Sequence, residues 1–367
     1  MIYLDYAATS PLRKEVLAEM MPYLTDAFGN PDSRLAFGRR AAQAVRAARD
    51  TVGERLGVQP SEVCFTSGGT EADNWAVRGA AGAGGVCVSA IEHHAVLEAA
   101  RLLSLPVTFA PADADGIVTP EALAQAMGSA RLAGVMAVNN ETGCVQPVQA
   151  LAETAHARGA LFFSDCVQAA CACDLKELVR CCDLVSLSAH KAGGPKGVGA
   201  LIVKRGVKLS PLIAGGEQER GLRGGTSNVA GAVGFACALQ LAQREREAFV
   251  RHTGSVRTLF EQYVSEALGK EVRADGARRV PNISHLTFAR GGTAFLDLLD
   301  LAGVACSGGA ACSAHSAKPS HVLMAMGRSE EEAFRGVRFS FGMQTTEADA
   351  LRAAEIVAES YRKFTQK

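Results

Sequence analysis

A lysine among small residues stands out in the stretch SLSAHKAGGPKG, which follows an apolar run. Lys191 comes directly after His190 and lies nearer to the apolar run than Lys196 does, so it is the better candidate for a functional amine. Most lysines at such places are simply solvated. A desolvated lysine, however, has a lowered pKa and can form a Schiff base with a carbonyl compound.

Two earlier stretches also place polar groups directly after apolar runs. In CFTSGGTEADN, Gly69 and Thr70 stand where a strand would turn into a helix, and such a turn either binds an anion or is a plain connection. In LFFSDCVQ, Asp165 ends the run and Gln168 follows three residues later. An acid at the end of a strand lies where open α/β sheets bind ligands. The alternative interpretation is that Asp165 caps the start of a helix. An anion cradle, an acid and a lysine are together what pyridoxal phosphate requires.

The elements that must position these residues follow an α/β pattern. Short apolar runs (EVCFTS, GVCVSA, PVTFAP, LAGVMAV, ALFFSD, CDLVSLSA and GALIV) alternate with segments of helical spacing. Continuous apolar runs indicate strands buried on both faces, as in a mostly parallel sheet flanked by helices. We expect a large α/β domain over residues 13–244. A long polar helix, about Val233 to Leu268, leads into a smaller α+β domain formed by residues 1–12 with 245–367.

Composition excludes several classes of partner. The chain has 38 basic and 38 acidic residues, so no overall charge would recruit nucleic acid or an anionic membrane surface. No stretch approaches the roughly 18 apolar residues of a membrane span, and the N-terminus lacks the pattern of a secretion signal, so we expect a cytoplasmic protein. The sequence lacks the paired C-x-x-C motifs that bind zinc in zinc ribbons, and we therefore expect no metal site.

Ten stretches in order resemble cysteine desulfurases of the NifS/IscS type, which are fold-type I pyridoxal-phosphate enzymes. They cover nearly the whole chain and are YLDYAAT, GNPDS, FTSGGTEADN, IEHHAV, VNNETG, SDCVQ, SAHKAGGPKGVGAL, GGEQERGLRGGTSN, CSGGAACSA and VRFSFG.

The resemblance implies a bound pyridoxal phosphate. Lys191 would link to the cofactor covalently, and Asp165 would keep the pyridine nitrogen protonated. Thr226 matches a residue that reaches the phosphate of the neighbouring subunit, which implies a homodimer with shared active sites. The remaining cofactor-binding positions are His93 stacked on the ring, Asn140 and Gln168 near the phenolic oxygen, and Gly69, Thr70, Ser188 and His190 around the phosphate.

The resemblance also implies L-cysteine as the substrate. Cys312 matches the nucleophile that accepts sulfur as a persulfide, and its small polar neighbours are typical of a mobile exposed loop. Arg338 matches the arginine that binds the substrate carboxylate, beside Asn140, although without the resemblance it would be read as an ordinary ion pair. His93 is the expected partner for proton exchange. Alanine would be released, and the sulfur would pass to an acceptor protein, such as an iron–sulfur scaffold or a sulfurtransferase serving tRNA thiolation.

Two alternatives remain open from the sequence. One is a selenocysteine lyase or a related pyridoxal-phosphate C–S lyase, against which the presence of Cys312 argues. The other is a non-catalytic carrier of metal or persulfide, supported only by the eleven cysteines. Four of these cysteines, which we call the extra cysteines, have no role in the site that the resemblance implies, and we interpret them as core or surface thiols. They are Cys171, Cys173, Cys181 and Cys182.

Overall fold

The computed structural model describes residues 1–308 and 318–366. The helices are α1 (Lys14–Leu24), α2 (Ala36–Leu56), α3 (Gly69–Ala80), α4 (His94–Arg101), α5 (Pro120–Met127), α6 (Val148–Ala157), α7 (Leu175–Cys181), α8 (Val229–Arg244), α9 (Arg246–Leu268), α10 (Thr293–Leu301), α11 (His321–Ala325), α12 (Glu330–Phe334) and α13 (Glu347–Thr365). Within the described ranges, no helix has both the length and the apolar character needed to cross a membrane.

The strands form one large sheet and two small ones. They are β1 (Ile2–Tyr3), β2 (Val63–Thr66), β3 (Val86–Ser89), β4 (Val107–Ala110), β5 (Leu132–Gly134), β6 (Leu161–Asp165), β7 (Leu184–Ser188), β8 (Gly199–Val203), β9 (Val272–Ala274), β10 (Ile283–Phe288), β11 (Val304–Ala305), β12 (Ser307–Gly308) and β13 (Gly336–Ser340).

The large sheet has seven strands in the order β2-β8-β7-β6-β5-β3-β4. The strands from β4 to β7 are parallel, whereas β8 runs antiparallel to both β7 and β2. All seven apolar runs are strands, so the predicted mostly parallel sheet is confirmed. The expectation of full burial is wrong for β4, where Phe109 is 40% exposed. This strand lies at the sheet edge and has a neighbouring strand on one side only.

Helices cover both faces of this sheet. One apolar cluster contains Trp75 of α3 and Leu97 of α4, and a second contains Phe235 of α8. Neighbouring residues of β8 divide between them, with Leu201 in the first cluster and Ile202 in the second. Because successive side chains of a strand point to opposite faces, the two clusters are the two sides of one sandwiched sheet.

A second core lies around a four-stranded sheet of order β12-β13-β10-β9. Phe260 of α9 and Phe339 of β13 pack in it with ring centroids 4.7 Å apart. The N-terminus joins this unit because β1 pairs in parallel with β11, with Ile2 opposite Val304. The cluster that contains Phe235 also includes Ala7, Val280 and Ile283, so the two cores meet. We propose that residues 13–244 and residues 1–12 with 245–367 form two domains.

The predicted long helix from Val233 to Leu268 is two helices. Helix α8 ends at Arg244, Glu245 leaves helical geometry with φ −97° and ψ 5°, and α9 begins at Arg246. The Glu245 carboxylate accepts a hydrogen bond from Arg13 at 2.8 Å. The two helices pack on different neighbours, α8 on α1 and α2 and α9 on α13, so one straight helix could not satisfy both.

Candidate active site

A cavity of about 360 Å³ opens at the carboxyl ends of the central strands β6 and β7. Ten of the predicted site residues line it, although they come from positions far apart in the sequence. They are Gly69, Thr70, His93, Asn140, Asp165, Gln168, Ser188, His190, Lys191 and Arg338. Thr226 is exposed and does not line this cavity within the described chain. Cys312 lies outside the described residues.

Lys191 stands on the short turn that follows β7, and its amine reaches the N-terminal segment. Its Nζ donates hydrogen bonds to the carbonyl oxygens of Ala7 at 2.6 Å and Ala8 at 2.9 Å. Gln168 Nε2 donates to the same Ala7 carbonyl at 2.8 Å. The amine is therefore held at the cavity wall by backbone dipoles, within reach of a ligand in the cavity.

Asp165 is the last residue of β6, and its carboxyl is buried in the cavity floor. Its Oδ1 accepts the N–H of Val167 at 2.8 Å, so this residue caps the following turn as well as lining the cavity. Burial raises the pKa of the Asp165 carboxyl, against the opposing effects of that N–H and of Lys191. A cation bound against it would compensate for the lost solvation and favour the carboxylate.

A second acid lines the cavity with Asp165 and has no counterpart among the predicted residues. Asp73, on α3, accepts a hydrogen bond from the Ser186 hydroxyl on β7. Its own burial, followed by the charge of Asp165, raises the pKa of Asp73 well above the ordinary range. Two such carboxyls in one buried cluster do not ionise together readily. In this cluster one carboxyl is therefore ionised more readily than two. A single carboxylate in the cavity is suited to hold one positively charged ring.

The start of α3 forms an anion cradle. Gly69 and Thr70 are its first residues, and no side chain of the described residues caps this end of the helix. The first N–H groups of a helix have no intrahelical partner, so they attract anions such as phosphate. A Cβ at Gly69 would lie 2.8 Å from Cγ2 of Val167, so a larger residue here would require the Val167 side chain to shift.

His190 contributes a neutral ring to the cavity. Burial, followed by the charges of Lys191 and Lys196, lowers its pKa to about 4. Its Nδ1 lies 3.1 Å from the Thr9 hydroxyl. The ring can therefore hydrogen-bond an anion without adding a positive charge near neutral pH.

His93 precedes α4 as its N-cap residue. Its Nδ1 accepts the N–H of Ala95 at 3.1 Å, which leaves the proton of a neutral ring on Nε2. Burial, then the charges of Lys191 and other neighbours, lowers the pKa of His93 to about 4. The ring is neutral near pH 7 and is suited to stack on a flat ligand.

Arg338 comes from the second sheet and is almost fully buried. Its Nη1 donates to the Asn140 carbonyl at 2.7 Å, and its Nη2 donates to Asp5 Oδ1 at 2.9 Å. Asp5 Oδ2 in turn accepts the Ser307 hydroxyl at 2.8 Å. Among residues 1–308 and 318–366, the Nε of Arg338 and the side-chain oxygen of Asn140 are buried without a hydrogen-bond partner. Unsatisfied polar atoms at a cavity wall indicate a polar ligand there.

Several residues that line the cavity were not predicted from the sequence. His94, Glu141 and His321 line the same cavity, together with Asp73. His94 stands beside His93 in IEHHAV, and Glu141 stands beside Asn140 in VNNETG. Their position next to candidate site residues was therefore the sequence signal that could have identified them. His321 had no such signal, because it reaches the cavity through the packing of α11.

The extra cysteines do not line this cavity, although the Cys171 thiol donates to the Lys191 carbonyl at 3.6 Å. Cys182 is buried, while Cys171, Cys173 and Cys181 are partly exposed. Within the described ranges, no three metal-ligating side chains are grouped as an ion would need.

The aminotransferase class-V family model matches residues 2–352. The cysteine desulfurase IscS of Dictyoglomus turgidum is 41% identical over 375 aligned positions, covering 99% of this chain and 95% of that protein. The putative cysteine desulfurase IscS 1 of Bacillus subtilis is 39% identical and covers 99% of both chains.

Solved structures show the same likeness. A NifS-like protein superposes with a TM-score of 0.91 at 32% identity, covering 99% of both chains. The structure described as SspA in complex with cysteine has a TM-score of 0.82 at 34% identity, covering 93% of this chain and 99% of that one. The likeness thus extends over both cores and not only over the cavity.

Proposed function

The chain belongs to the aminotransferase class-V family and is a pyridoxal-phosphate-dependent cysteine desulfurase. From this premise we propose how its own residues carry out the reaction. L-Cysteine is the substrate, and its sulfur passes to an acceptor. The observation that carries the proposal is the meeting of Lys191, Asp165 and Arg338 in one buried cavity.

The cavity chemistry fits pyridoxal phosphate. The uncapped start of α3 suits the phosphate, and the buried Asp165 suits the protonated pyridine nitrogen. Asn140 and Gln168 would hydrogen-bond near the phenolic oxygen, and the neutral His93 would stack on the ring. When bound, the cofactor draws electrons away from the substrate Cα.

Lys191 would hold the cofactor covalently until the substrate amine replaces it. Its amine is then available to remove the Cα proton and later to return one, which is general acid–base work within hydrogen-bond reach. The carbonyls of Ala7 and Ala8 that hold Nζ at 2.6 and 2.9 Å keep the freed amine at the cavity wall.

Arg338 would bind the substrate carboxylate. Two of its nitrogens are already occupied by Asp5 and by the Asn140 backbone, so the guanidinium is held in one orientation. Its Nε, which has no hydrogen-bond partner in the described part of the chain, is consistent with a further acceptor from the ligand. A planar, permanently charged group held in this way is suited to a carboxylate.

Cys312 would attack the substrate sulfur as a thiolate. The sulfur–carbon bond breaks, a sulfur–sulfur bond forms, and alanine is left after a proton reaches its Cβ. His93, whose ring is neutral near pH 7 because its pKa is lowered to about 4, is the proposed partner for exchange of the Cys312 proton; to take that proton, its Nδ1 would have to release the Ala95 N–H.

Purified protein tests the function directly. We expect yellow protein that converts L-cysteine to alanine and sulfide when a thiol reductant is present. Colourless protein that binds no added pyridoxal phosphate would refute it. Turnover of selenocysteine but not of L-cysteine would instead favour a selenocysteine lyase.

We propose a homodimer with shared sites. Leu17, Met21 and Leu24 form an exposed apolar stripe on α1, and Phe28 and Phe37 are 70% and 58% exposed beside each other, with ring centroids 5.6 Å apart. A second copy of the chain would cover them and could bring its exposed Thr226 to the phosphate. Light scattering should give twice the chain mass, and Phe28→Glu should lower it. A fully active monomer would contradict this proposal.

The sulfur acceptor is proposed to be an iron–sulfur scaffold or a sulfurtransferase, in a cytoplasmic setting. Neither nucleic acid nor a membrane is expected as a partner, because the charges balance. Transfer of ³⁵S from labelled cysteine to purified candidate acceptors would identify the recipient, with Cys312→Ser as the control that should transfer none.

A further inference from the structure

His321 has a buried ring nitrogen that no role described above accounts for. It lines the cavity, and its Nδ1 is without a hydrogen-bond partner among residues 1–308 and 318–366. A buried polar atom of this kind is costly unless something binds it.

The tautomer of His321 is set by a backbone carbonyl. Nε2 lies 2.9 Å from the Glu92 oxygen, which can only accept, so Nε2 carries the proton. Burial lowers the pKa of His321, with His94 and Arg101 acting in the same direction and the Glu92 carbonyl opposing them. The ring is therefore neutral near pH 7, and its Nδ1 presents a lone pair.

The ring is held in place from two sides. His94 packs against it with ring centroids 4.5 Å apart and the ring planes tilted by 43°. Glu141 Oε1 lies 4.0 Å from Nδ1, too far for a hydrogen bond, and the other Glu141 oxygen accepts the Ser320 hydroxyl. The Glu92 carbonyl and His94 thus hold the ring, and Nδ1 is a buried acceptor on a residue of the cavity lining.

We propose that Nδ1 of His321 accepts a hydrogen bond from the thiol of the substrate L-cysteine. This inference rests on the proposed function, in which Arg338 takes the carboxylate and the amine meets the cofactor. The thiol is the remaining polar group of the substrate, and it is a donor. The contact orients the sulfur, keeps it protonated, and distinguishes the substrate from alanine, which lacks the thiol.

Two substitutions separate thiol recognition from a structural role. In His321→Gln the amide nitrogen takes the place of Nε2 and can still donate to Glu92, but the acceptor at Nδ1 is gone. In His321→Asn the amide oxygen takes the place of Nδ1, but the bond to Glu92 is lost. His252→Gln is the matched control, because His252 Nε2 lies 2.9 Å from the Thr345 carbonyl and lines no part of this cavity.

The measurement compares L-cysteine with L-2-aminobutyrate, which has a methyl group in place of the thiol. For each holoenzyme, kcat/KM for L-cysteine and the inhibition constant of L-2-aminobutyrate are determined. In His321→Gln we expect kcat/KM to fall about fivefold with the inhibition constant unchanged, and in His321→Asn, which keeps an acceptor, we expect a smaller fall, while His252→Gln resembles the wild type.

The opposite pattern would overturn the inference. If His321→Gln matches the wild type, or if both ligands weaken equally in His321→Gln and His321→Asn, the ring has only a structural role. Wild-type protein that forms no alanine from L-cysteine would instead refute the proposed function itself.

Discussion

The contribution of Glu92, the residue before His93, to the stability of the protein should fall as the pH rises. Its side chain is fully buried, and one carboxyl oxygen has no hydrogen-bond partner within the described ranges. The other accepts bonds from the Ser89 hydroxyl and from the Met136 N–H, the latter at 2.8 Å. Burial raises the pKa of Glu92 from 4.5 to about 8, with Asp165 adding to the rise.

The sign follows from proton linkage. Between about pH 4.5 and about pH 8 the folded protein keeps the Glu92 proton while the unfolded chain loses it, so folding stability falls as the pH rises. Over the whole window the rise from 4.5 to about 8 corresponds to about 5 kcal/mol. Between about pH 5.5 and about pH 7.5 the loss from this group is about 3 kcal/mol.

The assay is urea unfolding of the holoenzyme at both pH values, for the wild type and Glu92→Gln. Glutamine does not titrate, so the wild type should lose about 3 kcal/mol more than the variant between the two pH values. Glu92→Asp keeps a titrating group and should retain a falling profile. Parallel profiles for the wild type and Glu92→Gln would refute the reasoning.

Three further predictions concern the proposed reaction. Lys191→Ala should abolish the covalent link to the cofactor and reduce alanine formation at least a hundredfold, as shown by the absorbance spectrum and an alanine assay; a variant with the wild-type spectrum would contradict this role. Cys312→Ser should keep the cofactor spectrum but stop sulfide release and protein persulfide formation, and continued sulfide release would assign the nucleophile elsewhere. Arg338→Lys should lower kcat/KM for L-cysteine about a hundredfold with the spectrum retained, because a planar fork is replaced by a point charge; unchanged kinetics would place the carboxylate elsewhere.

Much of the large sheet could be predicted because its signals are local. Each apolar run from EVCFTS to GALIV is a strand, and helical spacing between the runs marks the covering helices. The direction of β8 could not be read in the same way. A buried strand carries the same apolar run whether it pairs parallel or antiparallel, and the connection before β8 decides the direction. The break at Glu245 was also hidden, because its neighbours all favour helix.

Part of the site could also be predicted, because some of its residues follow local sequence signals. Asp165, Ser188 and Lys191 end strands or follow them directly, and parallel strands bring such ends to one edge. Arg338 has no such signal and came only from the resemblance. In the fold it meets Asp5, 333 positions away, through a contact that no local pattern encodes.

The sequence by itself determined the strand and helix segments, the order of the polar groups at strand ends, and the family resemblance. These depend on the spacing of side chains along a few neighbouring residues. Only the tertiary structure decided which of those groups share a cavity, how Asp5 orients Arg338, and that Nδ1 of His321 has no hydrogen-bond partner among the residues that the structure describes. Burial is the physical reason. The removal of solvent around Glu92, His93 and Asp73 changes the pKa of each, and that depends on elements packed from distant parts of the chain.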